Sequence, residues 1–125
     1  MKKKKMKTAL LIIDHGSKRK SANHMLFDIV KLMREQRPDL LVFGAHMELA
    51  LPTIQDGIDR CVKNGAEHII AHPYMLSTGR HAMEDIPRMV KQAVSKYPNI
   101  TCKVTPPLGV DLELISLILK RAELK

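Results

Sequence analysis

The chain has 125 residues and 45% apolar content, enough for the core of one domain, with no Trp and only two Phe and two Tyr. Its charge of +8 falls to +3 without the five lysines, Lys2 to Lys5 and Lys7, ahead of the first apolar run, and few aromatics are present to stack on bases, so composition argues against a nucleic-acid module. Two cysteines, neither in a Cys-x-x-Cys pair, argue against a disulfide framework, a zinc ribbon or a four-thiolate iron–sulfur cluster.

Residues 1–7 read as a basic, disordered tail and 8–125 as a single α/β domain. The run 8–14 is continuously apolar, as in a strand buried on both faces. It is too short for a membrane span or a signal-peptide core and has no small-residue cleavage site after it, which places the protein in the cytoplasm. From Ser21, a suitable N-cap, Met25, Ile29, Leu32 and Met33 recur at helical spacing and predict the inner face of a helix ending before Pro38. Residues 40–45 are a second strand.

Pro52 then fits the first turn of a helix with Ile54, Ile58, Cys61 and Val62 inward, stopped by Gly65 in a left-handed conformation. Residues 68–71 form a third strand. A helix is predicted over 84–97 with Ile86, Met89, Val90, Ala93 and Val94 on one face, then a fourth strand over 100–104. A last helix runs from Asp111 with Leu112, Ile115, Ile118 and Leu119. Four βα units in succession imply a four-stranded parallel sheet with helices on both faces and a flavodoxin-like order 2-1-3-4.

In such a sheet ligands bind at the carboxyl ends of the strands, so loop residues there carry the functional reading. His15 opens His15-Gly16-Ser17 after the first strand. No phosphate-binding glycine pattern follows it. His81 lies where the loop 73–83 meets the third helix. Glu48, flanked by apolar residues after the second strand, needs a partner or a metal if buried, and otherwise is a first-turn carboxylate ahead of Pro52. His46 points the same way as Glu48 if the chain stays extended. Glu84 and Asp85 are read as helix-start carboxylates favoured by the dipole. His24 reads as a surface residue, His68 and His72 as strand residues explained by packing or backbone bonds. Lys18, Arg19 and Lys20 read as a solvated basic loop, yet stand where an anionic ligand would arrive at the sheet edge.

The segments Asp14-His15-Gly16-Ser17, Ala45-His46-Met47-Glu48-Leu49-Ala50 with Pro52, and Gly79-Arg80-His81 with Asp85-Ile86-Pro87 resemble the class II tetrapyrrole chelatases. More narrowly they are similar to the short sirohydrochlorin cobaltochelatases and ferrochelatases of the CbiX and SirB type. The resemblance runs from about residue 8 to Gly109.

It implies insertion of Co²⁺ or Fe²⁺, with Ni²⁺ a further candidate, into sirohydrochlorin on the way to cobalamin or siroheme. His15 and His81 would bind metal and act catalytically, with Glu48 as the acidic partner and His46 as a secondary candidate. Imidazole and carboxylate ligands suit these metals, and a histidine can accept the pyrrole protons that leave. The carboxylates of sirohydrochlorin would meet Lys18, Arg19, Lys20 and Arg80 at the rim, with Ser17 also placed against the substrate. Met75, Leu76 and Met47 would touch the macrocycle. Many relatives have two tandem domains; the short forms act as homodimers, so a homodimer is expected here, without an iron–sulfur cluster. Two alternatives use other features: a non-catalytic metal or tetrapyrrole carrier, and a nucleic-acid module driven by the lysine tail.

Overall fold

The computed structural model describes residues 6–77 and 79–124, with the backbone alone at His81 and Ala82. Strands β1 (Thr8–Asp14), β2 (Leu41–His46), β3 (His68–Pro73) and β4 (Thr101–Val104) form one sheet in the order β2-β1-β3-β4. Every pairing is parallel, with Ile12 opposite both Gly44 and His72. The expected order is therefore found. The central strand β1 has buried residues on both faces, which is what its unbroken apolar run encodes.

Helices α1 (Lys20–Gln36), α2 (Ile54–Lys63), α3 (Ile86–Val94) and α4 (Leu112–Arg121) alternate with the strands, and a π-helical turn, His81–Asp85, precedes α3. The larger core lies under α2 and α3, where Leu11, Ile13, Ile58, Ile69 and Ile86 are fully buried. A smaller core joins Ile12 and Val42 to Leu26 and Val30 of α1. Tyr97 donates to Asp59 at 2.6 Å, tying the segment after α3 to α2, and this bond holds the Asp59 carboxyl below its usual range.

Several local expectations change. The N-cap of α1 is Arg19 and carries no side-chain cap bond, so Ser21 is not the cap. The inner face of α1 is Leu26 and Val30; Ile29 and Met33 are only partly buried and Met25 and Leu32 are exposed. Pro52 follows a cis peptide bond and lies before the helix, which starts from Thr53 in a capping box with Asp56. The inward residues of α2 are as expected, and Gly65 takes φ +94°. Strand β3 runs on to Pro73, and the helix expected over 84–97 is α3, ending at Val94.

The last helix departs most. Asp111 caps it by accepting from Glu113 N at 2.9 Å, yet α4 has no buried residue. Helix α1 packs on one face of the sheet, against β1 and β2, and α2 with α3 pack on the other. Of the expected tail, residues 1–5 lie outside the described residues. Lys7 is tied to the body, its N–H bonded to Glu67 Oε1 and its carbonyl accepting from Glu67 N and His68 N.

Candidate metal centre at the carboxyl edge of the sheet

Strand β1 sits between β2 and β3, and chain connections leave it in opposite directions, so its carboxyl end is the switch point where a ligand crevice forms. His15 follows at that end. The exit of β2 runs alongside it: Met47 N donates to Asp14 O at 2.9 Å and Glu48 N to His15 O at 3.1 Å. This backbone pairing carries Glu48 to His15, and Glu48 Oε1 lies 3.2 Å from His15 Nε2. Both side chains are about half exposed, 44% and 50%. They are therefore open to a ligand while held by the sheet beneath.

Gly16 makes that approach sterically feasible. Its φ is +93°, and a Cβ there would fall 1.8 Å from the Glu48 carbonyl oxygen. Its carbonyl lies 3.3 Å from His15 Nδ1. Asn23 locks the rest of the loop, its amide donating to Ser17 O at 2.7 Å and its carbonyl accepting from Ser17 N at 2.9 Å. Asn23 carries no motif of its own; only its position one turn into α1, facing the loop, reveals the role.

His46 is not a partner of Glu48 in the crevice. It is wholly buried, its Nδ1 is 2.5 Å from Asp14 Oδ1, and its ring meets Phe27 edge-on at 5.8 Å. The strand ends at His46, so the alternation that would align residues 46 and 48 is not continued. His46 instead bridges the ends of β1 and β2 from inside.

The neighbouring surfaces divide the remaining candidates. A cavity of about 290 Å³ is lined by His15, Gly16 and Ser17 with Met25, Tyr74 and Met75. An adjoining one of about 410 Å³ is lined by Lys18 and Lys20 together with His24 and Phe27. Lys18, Arg19 and Lys20 are exposed at the start of α1. Arg80 is exposed and lies 3.6 Å from Glu84. Leu76 does not join the His15 cavity; it faces a groove with Val110 and α4. Met47 is buried in the core and is not available to a ligand.

Glu84 and Asp85 make no cap bond to α3: Glu84 pairs with Arg80, and Asp85 lies 3.5 Å from Arg88. His68 and His72 bond side chains rather than backbone, Thr101 at 2.6 Å and Thr105 at 2.8 Å. Burial holds the His72 imidazole below its ordinary pKa. The side chain of His81 lies outside the described residues; its backbone opens the π-helical turn on the loop after β3. Among the described residues no group of three or more His, Cys, Asp or Glu forms a closed metal cage. Burial pushes the Cys61 thiol up to about 12 and Cys102 to about 11, leaving two protonated thiols rather than thiolate ligands.

An imidazole–carboxylate pair on a parallel α/β sheet, open at the switch point, defines a domain of the class that handles its ligand at the carboxyl edge of the sheet. The chain belongs to the CbiX family, whose model matches residues 9–124. It is 37% identical over 114 residues to the chloroplastic sirohydrochlorin ferrochelatase of Arabidopsis thaliana, covering 91% of this chain and 51% of that protein. The sirohydrochlorin chelatase SirB from Bacillus subtilis subspecies spizizenii, solved in complex with cobalt, superposes with a TM-score of 0.88 and 34% identity, over 94% of this chain and 50% of that one. SirB from Bacillus subtilis with Fe³⁺ superposes with a TM-score of 0.86 at 33% identity, over 93% of this chain and 46% of that one. The chain thus spans about half the length of these relatives. The fold is theirs.

Proposed function

We propose that this chain inserts a divalent metal, Fe²⁺ or Co²⁺, into sirohydrochlorin. The observation that carries the reading is the His15–Glu48 pair, 3.2 Å apart and half exposed at the end of the central strand. The relatives named as ferrochelatase and chelatase, and the cobalt and Fe³⁺ structures, support it. The metal is substrate here, held by few ligands so that it can be passed on. His15 and His81 are proposed to bind it, with Glu48 as the third ligand.

As metal enters the macrocycle, its pyrrole N–H protons must leave. A histidine near neutrality accepts such a proton, and the adjacent carboxylate stabilises the imidazolium that forms. Lys18, Arg19, Lys20 and Arg80 would meet the carboxylates of the macrocycle, and Met75 would contact its edge from the His15 cavity. The working form is proposed to be a cytoplasmic homodimer. No helix among the described residues is long and apolar enough to cross a membrane.

Anaerobic incubation with sirohydrochlorin and Fe²⁺ or Co²⁺, followed by absorption, tests the proposal. Wild type should insert metal, and His15→Ala should slow insertion by about 100-fold or more, the usual scale of general-base removal. Equal rates for wild type, His15→Ala and His81→Ala would refute it. Tight binding of the macrocycle without acceleration would point to the carrier reading.

A further inference from the structure

Among the described residues, His46 is the one polar or charged residue in the buried interior. Strand alternation puts it on the face of the sheet that α1 covers, in line with Val42 and Gly44, and Phe27 of α1 meets its ring. The rest of that face is apolar: Leu10, Ile12 and Val42 pack with Leu26 and Val30. Asp14 stands opposite His46 in the register of β1 and β2.

An imidazole is a costly occupant of such a place. An ionised carboxylate only accepts, so the proton between the two residues sits on His46 Nδ1, which donates to Asp14 Oδ1 at 2.5 Å. The other ring nitrogen, Nε2, is buried without a hydrogen-bond partner. A polar atom buried in that way lowers stability, and an apolar side chain of similar size would avoid the loss. Folds break their packing rules chiefly at functional sites, so the orphaned nitrogen asks what the other end of the ring achieves.

It fixes the carboxylate of Asp14. That side chain is 20% exposed and lines the cavity of about 290 Å³ that contains His15. Among the described residues lining it, Asp14 is the only acid, and no Lys or Arg is present to neutralise it. Glu48 is not part of that wall; it reaches His15 Nε2 from the exit of β2. His46 is the one side chain bonded to Asp14 among the described residues, and it uses one of the two carboxylate oxygens. The second oxygen is left for a ligand.

We propose that Asp14 is a further residue of the metal site, an outer carboxylate that holds the waters of the incoming dication beside His15, and that His46 is its positioning residue. The inference rests on the reading of His15 and Glu48 as the metal-handling pair. Divalent iron and cobalt arrive hydrated, and a carboxylate is a strong acceptor for the waters they carry. The attraction acts in a recess with less water than the open surface, so salt screens it only partly. An outer carboxylate also adds no bond to the metal that would have to break on transfer to the macrocycle. That fits a site in which the described residues form no closed cage.

Binding of Co²⁺ alone to the full chain, followed by calorimetry and by the visible absorption of the ion, tests the role of Asp14. Asp14→Asn keeps an acceptor for His46 Nδ1 and removes the charge. It should weaken Co²⁺ binding by roughly tenfold with little change in the urea midpoint. In the insertion assay it should raise KM for the metal and leave KM for sirohydrochlorin in place. Unchanged Co²⁺ affinity, where His15→Ala weakens binding, overturns the inference and leaves the proposed function standing. Weaker Co²⁺ binding by Asp14→Asn in a chain that inserts no metal would keep the site and refute the chelatase reading. Binding indifferent to both substitutions overturns the two together.

Two variants test the positioning role. His46→Leu removes the donor but suits the apolar core, and Co²⁺ affinity should fall by roughly threefold to tenfold. His46→Asn sets an amide N–H near the place of Nδ1 and should restore most of that loss. Equal weakening by Leu and Asn would mean that the bond to Asp14 is not what matters. Altered stability with wild-type Co²⁺ affinity in both would make His46 a structural residue alone. Either result overturns the role.

Discussion

Helices α2 and α4 have the same length, ten residues, and both are capped by a side chain, Thr53 and Asp111. Helix α2 buries Ile54, Gly57, Ile58 and Cys61 against the sheet; α4, the more apolar of the two, buries none of its residues. Amphipathicity states what surface a helix must cover. It does not state which molecule supplies the cover. For α2 the cover is the chain's own β1 and β2; for α4 the described residues supply none.

The sharpest way to break this contrast is to remove the same atoms from each helix. Ile58→Ala should cost about 2–5 kcal/mol in urea unfolding, because a fully buried isoleucine leaves a cavity. Ile115→Ala should cost less than about 0.5 kcal/mol in chains dilute enough to be monomeric, and more as concentration rises. Equal costs at high dilution would mean that α4 is covered by its own chain.

The site edge comes next. Gly16→Ala should destabilise by about 2 kcal/mol or more and abolish the proposed metal insertion, since the added Cβ meets the Glu48 carbonyl and φ is +93°. An active, fully stable Gly16→Ala would separate Glu48 from the loop that is argued to hold it.

The caps give a smaller test. Thr53→Ala should cost about 1 kcal/mol of global stability through the lost capping box. Asp111→Ala should lower helical content with little global cost, as α4 is not part of the monomer's core; hydrogen exchange on the two helices distinguishes the cases.

The smallest effect concerns pH and strand β3. Burial depresses the His72 pKa below 6.5, so the unfolded chain binds its proton more readily than the folded one. Stability should therefore fall as pH drops below 6.5 and be regained above it, by the sign of proton linkage. His72→Gln should flatten that part of the profile, and an unaltered profile would assign the acid sensitivity to other groups.

Much of the fold is legible in periodicity. The apolar run of β1, the α2 face and the alternation of elements each follow from local spacing, and the strand order agrees with the expectation from four βα units. The phase of α1 does not follow, for an instructive reason. Met25 and Leu32 fit the helical period, but they are exposed, whereas the core takes Leu26 and Val30. Two stripes on one helix look alike in sequence when one faces the core and the other does not. At the site, His15 and Glu48 are legible from their placement after strands. His46 is not, because its role depends on where the chain leaves extended geometry. Asn23 is silent, because a loop-locking amide has no spacing signature.

What the sequence determined by itself is the set of elements and the chemistry offered at their ends, since both depend on residue type and on contacts close in the chain. What only the tertiary structure decided is which side chains meet. Parallel pairing of the β1 and β2 exits sets Glu48 against His15 while drawing His46 inward to Asp14. Placement of α4 leaves its apolar residues exposed. Such outcomes rest on contacts between residues far apart in the chain, and no local pattern encodes those distances.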